Sequence, residues 1–304
     1  MSIIKTVKLT KYYGKQLGIK DLSFEVPSGS IFGFLGANGA GKTTTIRMFL
    51  GLLQSTAGYF EILGNKISRN SKYPEKLAQK IGFLPGNPGL YQNMTGRDFL
   101  TYMGNLYGRI DHDFQKTTLE TMELSEKQLS RKISGYSRGM KQKIGVIQAI
   151  QHDPELIIMD EPTEGLDPLM QRNFYSIVKE LQQKGKTIFF SSHNLNEVEK
   201  VCLKVAIIRQ GRLITIETID QLKSKRLYNI ELVLADGEQL KDFDFKGIQK
   251  ITTKDNKIYL HWKGNFADLF AQLSSYNIKD FHCQKASLEE IFLTYYSQEN
   301  DTDE

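Results

Sequence analysis

Apolar and polar residues alternate from Ile3 to Leu9 and again from Leu22 to Val26, the two-residue period of strands with one buried face. Pro27-Ser28-Gly29 supplies a turn, and Ile31-Phe32-Gly33-Phe34-Leu35 is then apolar throughout, as in a strand covered on both faces. A glycine-rich turn follows, and the pattern predicts a helix from Lys42 to about Leu53. Residues 95–150 read as mostly helical. Leu156-Ile157-Ile158-Met159, Thr187-Ile188-Phe189-Phe190 and Val205-Ala206-Ile207-Ile208 are further buried strands. Alternating with helices, they predict βα units on a parallel sheet.

The pattern changes near Gln221–Arg226. Beyond it Ile230, Leu232 and Leu234 alternate, as do Ile258, Leu260 and Trp262. Phe266, Leu269, Phe270 and Leu273 then fall on one face of a helix, and Leu288, Ile291, Phe292 and Tyr295 repeat that spacing. Ser287 with Glu290 three residues on is a capping box for this last helix. The expectation is a small α+β unit with an acidic tail, Asn300–Glu304, and no recognisable chemistry.

Composition narrows the class. The chain has 304 residues, 40% hydrophobic and 25% charged, which suits about two globular domains. No stretch approaches the roughly 18 apolar residues of a membrane-spanning helix, and Met1–Lys11 has no signal-peptide core. Two cysteines, Cys202 and Cys283, cannot make a disulfide framework, so a reducing, cytoplasmic setting is expected. Both sit in apolar patterns and read as core residues, as does Trp262. Charge is uneven: residues 226–304 carry 9 Lys and Arg against 14 Asp and Glu, net −5, leaving +10 on residues 1–225. The positive charges come singly or in pairs, so they read as a solvated face, and no specific nucleic-acid partner is expected.

The candidate chemistry begins at Gly36-Ala37-Asn38-Gly39-Ala40-Gly41-Lys42-Thr43, which fits the phosphate-binding pattern G-x-x-x-x-G-K-S/T, with Thr44 following. Glycines let backbone N–H groups approach phosphate oxygens, Lys42 reaches the β- and γ-phosphates, and the Thr43 hydroxyl suits Mg²⁺. The helix that starts there points its positive end at the anion. Leu156–Met159 ends in Asp160-Glu161. A carboxylate at the C-terminal edge of a buried strand can hold the metal, and Glu161 can orient or deprotonate an attacking water.

With these motifs in order, residues 1–217 resemble the ATP-binding-cassette ATPases, the motor subunits of ABC transporters. The resemblance implies an α/β P-loop NTPase cassette over 1–220, with a mixed sheet and a helical subdomain at about 88–145. A small C-terminal α+β accessory domain at 226–304 follows it. It implies ATP and Mg²⁺ as ligands. Tyr13 matches the aromatic that stacks on adenine, with Tyr12 beside it as a competitor. Tyr136-Ser137-Arg138-Gly139-Met140 occupies the place of the Leu-Ser-Gly-Gly-Gln signature; Ser137 and Gly139 match, while Tyr136, Arg138 and Met140 depart. In the family this segment closes over the γ-phosphate held by the other subunit. Glu164-Gly165-Leu166-Asp167 looks like the D-loop, whose Asp lies at the dimer interface, and His193 looks like the switch histidine.

The family's Q-loop glutamine falls on Gly86, which has no side chain to offer; either Asn87 or a water takes its place, or coupling relies on other contacts. Leu90, Tyr91 and Met94 are expected to form the exposed part of a groove for a membrane subunit's coupling helix. The resemblance thus implies a dimer with a second copy or a paralogous ATPase, bound to integral membrane transporter subunits on the inner face of the membrane. Motif details resemble the bacterial exporter branch that handles drugs, antimicrobial peptides or cell-surface polymers. The rivals are a soluble ATP-driven switch acting on ribosomes or nucleic acid, and a GTPase or small kinase. Soluble switches usually carry two cassettes or a coiled-coil insertion, and the only near match to a guanine motif, Asn65-Lys66-Ile67-Ser68, lacks its Asp.

Overall fold

The computed structural model describes residues 1–224, 228–235, 247–254 and 257–285. The chain divides into two compact units, Met1–Ile219 and Asp220–Glu304. In the first, β1 (Ser2–Tyr13) and β2 (Gln16–Pro27) form a long antiparallel hairpin. β3 (Ile31–Leu35), buried at every residue, leads into α1 (Lys42–Phe49). β4 (Ala57–Ile62) and β5 (Asn65–Ser68) join the hairpin in the order β2-β1-β4-β5.

After α2 (Glu75–Ala78) and β6 (Ile81–Leu84) comes the helical stretch: α3 (Gly96–Tyr107), α4 (His112–Thr121), α5 (Glu126–Leu129) and α6 (Arg138–Ile150). It has its own core of Phe99, Leu100, Leu129, Ile133 and Ile144. Tyr136, the aromatic departure in the signature, is buried in that core and donates its hydroxyl to the Gln128 carbonyl at 2.7 Å. The chain then runs through β7 (Leu156–Asp160), α7 (Pro168–Gln183), β8 (Thr187–Ser192), α8 (Leu195–Val201), β9 (Lys204–Arg209), β10 (Arg212–Thr218) and α9 (Ile219–Ser224).

The six-stranded sheet has the order β10-β9-β3-β8-β7-β6 and is parallel except for the β9–β10 hairpin. This order sets β3, β8 and β7 side by side, so the loops leaving their C-terminal ends share one edge, where open α/β sheets bind ligands. Phe24, Phe32, Phe34, Phe49, Phe60 and Phe189 pack together beneath it, ring centroids 5.2–6.4 Å apart in the contacting pairs.

The second unit contains β11 (Tyr228–Leu234), β12 (Ile248–Lys254), β13 (Lys257–Trp262), α10 (Phe266–Leu273) and β14 (Ile278–Lys285). Its antiparallel sheet has the order β12-β13-β11-β14. Ile230, Leu232, Leu260 and Trp262 bury against Leu269 and Leu273. Cys202 is buried in the first unit, and Cys283 is partly buried against this second core.

Three expectations change. The first helix ends at Phe49, short of Leu53, because Gly51 takes φ +72° and its N–H turns back to the Met48 carbonyl, a left-handed helix end. Phe270 is half exposed, resting on Phe266 and Phe281 at the flank of the helix while Leu269 and Leu273 fill the core. Leu90 is buried and Met94 packs on the helical core; the exposed apolar side chains here are Tyr91, Tyr102 and Leu106. The predicted helix around Leu288–Tyr295, with its Ser287 and Glu290 cap, lies outside the described residues. Among the described residues no helix is long and apolar enough to cross a membrane.

Candidate active site

Gly41 begins α1 with φ +109°, a left-handed conformation that a side chain resists, and no side chain caps the helix. The first turn also carries no acidic residue. Its leading N–H groups, which have no intrahelical acceptor, are left to an anion. Lys42 is 6% exposed and folds back into this loop, donating to the carbonyls of Gly36 at 2.6 Å and Ala37 at 3.3 Å.

Two acidic residues, the last of β7 and the one that follows it, meet the loop. Thr43 donates its hydroxyl to Asp160 Oδ2 at 2.9 Å, and Ser191 from β8 donates to Asp160 Oδ1 at 2.5 Å. Asp160 is therefore fixed from both sides in a buried position. Glu161 has φ +48°, uncommon for a residue with a side chain, and its N–H is shared between the Ser191 carbonyl and hydroxyl. Its Oε1 is 3.1 Å from Lys42 Nζ, an ion pair without hydrogen-bond alignment. Its Oε2 is 2.8 Å from His193 Nδ1.

A cleft of about 440 Å³ opens here, lined by Tyr13, Asn38, Gly39, Gly41, Lys42, Thr43, Thr44, Asp160 and Glu161. Tyr13 comes from the end of β1 and places its hydroxyl 3.4 Å from the Thr44 hydroxyl. Gly36 and Ala40 form the back of the loop, Ala40 being buried. His193 is tied to the cleft through Glu161. Ser137, Gly139 and Asp167 do not line it. Ser137 caps α6 by accepting from the Met140 N–H, and Asp167 caps α7 by accepting from the Leu169 and Met170 N–H groups.

Sequence reasoning missed Gln16, Leu17, Gly18 and Arg47 in the cleft wall, and Ser191 behind Asp160. Arg47 stands one helical turn after Thr43, a spacing that marks it as a neighbour. Nothing local marks Gln16–Gly18, which reach the site through the hairpin.

The family model described as ABC transporter matches residues 19–164. The bacitracin transport ATP-binding protein BcrA of Bacillus licheniformis is 41% identical to this chain, over 77% of this chain and 76% of its own length. The chain belongs to the ABC transporter family. Within the family it is an ATP-binding protein, and its first unit is an ATPase cassette. The linearmycin resistance ATP-binding protein LnrL of Bacillus subtilis is 38% identical over 73% of this chain and 71% of its own. A solved structure described as the ATP binding subunit of an ABC transporter superposes with a TM-score of 0.67 at 31% identity, over 73% of this chain and 92% of that one. The α/β cassette fold of the family is the fold of the first unit.

Proposed function

We propose that this ABC ATPase hydrolyses Mg-ATP as a dimer and drives separate membrane-embedded subunits that export antimicrobial or related compounds. The observation that carries the reading is the convergence of Lys42, Thr43, Asp160 and Glu161 on one cleft at the end of a parallel sheet. The export sense comes from relatives named for bacitracin transport and linearmycin resistance.

The chemistry follows from the side chains. Lys42 and the N–H groups of α1 bind the phosphates, and their charge is worth most where negative charge grows in the transition state. The residues present fit a hard cation: the Thr43 hydroxyl and Asp160 carboxylate already face each other at 2.9 Å. Among the described residues no cluster of three or more His, Cys, Asp or Glu could hold a metal alone. Mg²⁺, which is bound through one or two carboxylates plus substrate phosphates, would be held here by the Thr43 hydroxyl and the Asp160 carboxylate. When bound, Mg²⁺ offsets charge on the β- and γ-phosphate oxygens. Glu161 holds the attacking water and receives its proton. An ionised carboxylate only accepts, so His193 donates Nδ1–H to Glu161 and keeps Nε2 for the γ-phosphate.

Tyr13 forms the adenine wall. Ser137 and Gly139 at the start of α6 face the nucleotide of a second cassette, and Asp167 lies at that interface. Tyr91, Tyr102 and Leu106, exposed together on the helical layer, receive the membrane subunit. The protein therefore works at the cytoplasmic face of the membrane. The second unit has an accessory role.

The test is ATP turnover with and without Mg²⁺, alongside dimerisation with ATP in a Glu161→Gln variant. Turnover without Mg²⁺, or no dimer in any nucleotide state, counts against the reading. Recovery of a tagged copy with a stoichiometric multi-spanning protein from gently solubilised membranes tests the transport role. Soluble recovery with ribosomal partners would replace it with a soluble switch.

A further inference from the structure

Arg138 stands where the family signature carries glycine, and its side chain turns back onto its own chain. Its guanidinium pairs with the Glu164 carboxylate. The stem of Arg138 lies over Gly165, where an added Cβ would come within 3.0 Å of Arg138 Cγ. Gly139 approaches so closely that a Cβ there would be 2.9 Å from the Gly165 carbonyl oxygen. One turn further along α6, Gln142 Nε2 donates to the Pro162 carbonyl at 2.8 Å in a buried contact. The first turn of α6 is thus registered along residues 162–165. That short segment continues directly from Glu161 and runs into Asp167, which caps α7.

We propose that the Arg138–Glu164 pair is a positioning device: it sets the spacing between the signature turn and the Glu161 carboxylate of the same chain. The proposal rests on the reading that Ser137 and Gly139 face a second cassette's nucleotide. Contact at that nucleotide then acts, through α6 and residues 162–165, on the residue that holds water in the chain's own site. Glycine at position 138 could not make this tie. Both side chains are partly exposed, 68% and 46%, so the pair adds little to folding stability. Its contribution is to alignment, where misplacement of a water or phosphate is costly.

The experiment uses the full chain and measures kcat and KM for ATP separately in Arg138→Glu, Glu164→Arg and the double reversal, with thermal midpoints for each. Each single reversal is expected to lower kcat at least about tenfold, about 1.4 kcal/mol, with KM within about twofold. The double reversal is expected to return kcat to within about threefold of the parent, with all midpoints within a few degrees. A double variant no faster than the slower single, or singles that leave kcat within about twofold, overturns the proposal. So does a harmless Glu164→Arg beside an Arg138→Glu that abolishes ATP-driven dimerisation, since Arg138 would then act on the phosphate itself. If a reversal does not fold, Arg138→Gln and Glu164→Gln take its place, expected to lower kcat about threefold and overturning the proposal if they do not. Glu161→Gln is the control. Its failure to slow turnover would remove the hydrolytic reading, whereas normal slowing beside unaffected pair variants removes only the positioning role.

Discussion

His193 Nδ1 lies 2.8 Å from Glu161 Oε2, so the end of β8 holds the carboxylate delivered by β7. Glu161 is also held by a left-handed backbone and a divided N–H bond. A carboxylate restrained in this way can keep a water in line without reorganising during the reaction.

Replacing Glu161 with Gln keeps the shape and removes the proton acceptor. Turnover is expected to fall at least about 100-fold, as for a lost general base, while ATP binding persists and ATP-dependent dimers accumulate. Single-turnover hydrolysis and equilibrium nucleotide binding check this together, and an unchanged rate would reject Glu161 as the base.

Tyr13 borders the cleft and Tyr12 does not. Tyr13→Ala is therefore expected to raise KM for ATP roughly tenfold with kcat little changed, in line with about 1–3 kcal/mol for stacking a base on an aromatic ring. Tyr13→Trp should restore it, and Tyr12→Ala should have little effect. The reverse ranking would reassign the adenine wall.

Gly86 packs closely on the site: a Cβ there would be 3.2 Å from the Asp160 carbonyl oxygen, a tight contact, and 3.6 Å from Glu161 Cβ. If Glu161, tied to His193, holds the water as proposed, Gly86→Gln should change kcat by less than about tenfold, roughly 1.4 kcal/mol. A larger gain in steady-state rate would mean that the missing glutamine limits turnover.

His152 is 1% exposed and stacks on the Tyr107 ring, centroids 3.7 Å apart. Burial pushes its pKa down to about 4; the Ile81 backbone pulls weakly the other way, though no aligned hydrogen bond reaches either ring nitrogen. Between pH 6.5 and about 4 the unfolded chain therefore binds the extra proton, so this contribution is full above pH 6.5 and is lost as the pH falls. At pH 5 the loss is roughly 2 kcal/mol. Denaturant midpoints at pH 7.5 and pH 5 should differ more in the parent than in His152→Phe, and equal differences would discard the assignment.

Phe189 is fully buried and touches Phe24, Phe32, Phe34 and Phe49. Phe189→Ala should cost about 3–5 kcal/mol, a large share of a domain's stability. Urea unfolding measures it, and a loss below about 1 kcal/mol would show that the aromatic cluster repacks.

The amino-acid sequence by itself determined the phosphate loop, the carboxylates after a buried strand and the run of βα units. Each of these is local. Glycine spacing answers to the approach of a phosphate, and an apolar pentapeptide such as Ile31–Leu35 answers to burial on both faces. Where the requirement is not local, the pattern was silent. Pairing of β1 with β2 shifts register at Lys11/Tyr12, which breaks strict alternation, so only the folded hairpin puts Tyr13 on the cleft. Gln16 reaches the cleft by the same hairpin, and Ser191 finds Asp160 because β8 pairs beside β7. Helical spacing placed Phe270 with Leu269, but a helix face is wider than the groove that receives it, and Phe270 stays half outside. Arg138 reads as a simple departure from a motif; its pairing with Glu164 exists only because α6 packs against the segment after β7. Contacts between residues 26 to 117 positions apart, as in Arg138–Glu164 and Thr43–Asp160, depend on strand order and helix packing, and these the tertiary structure decides.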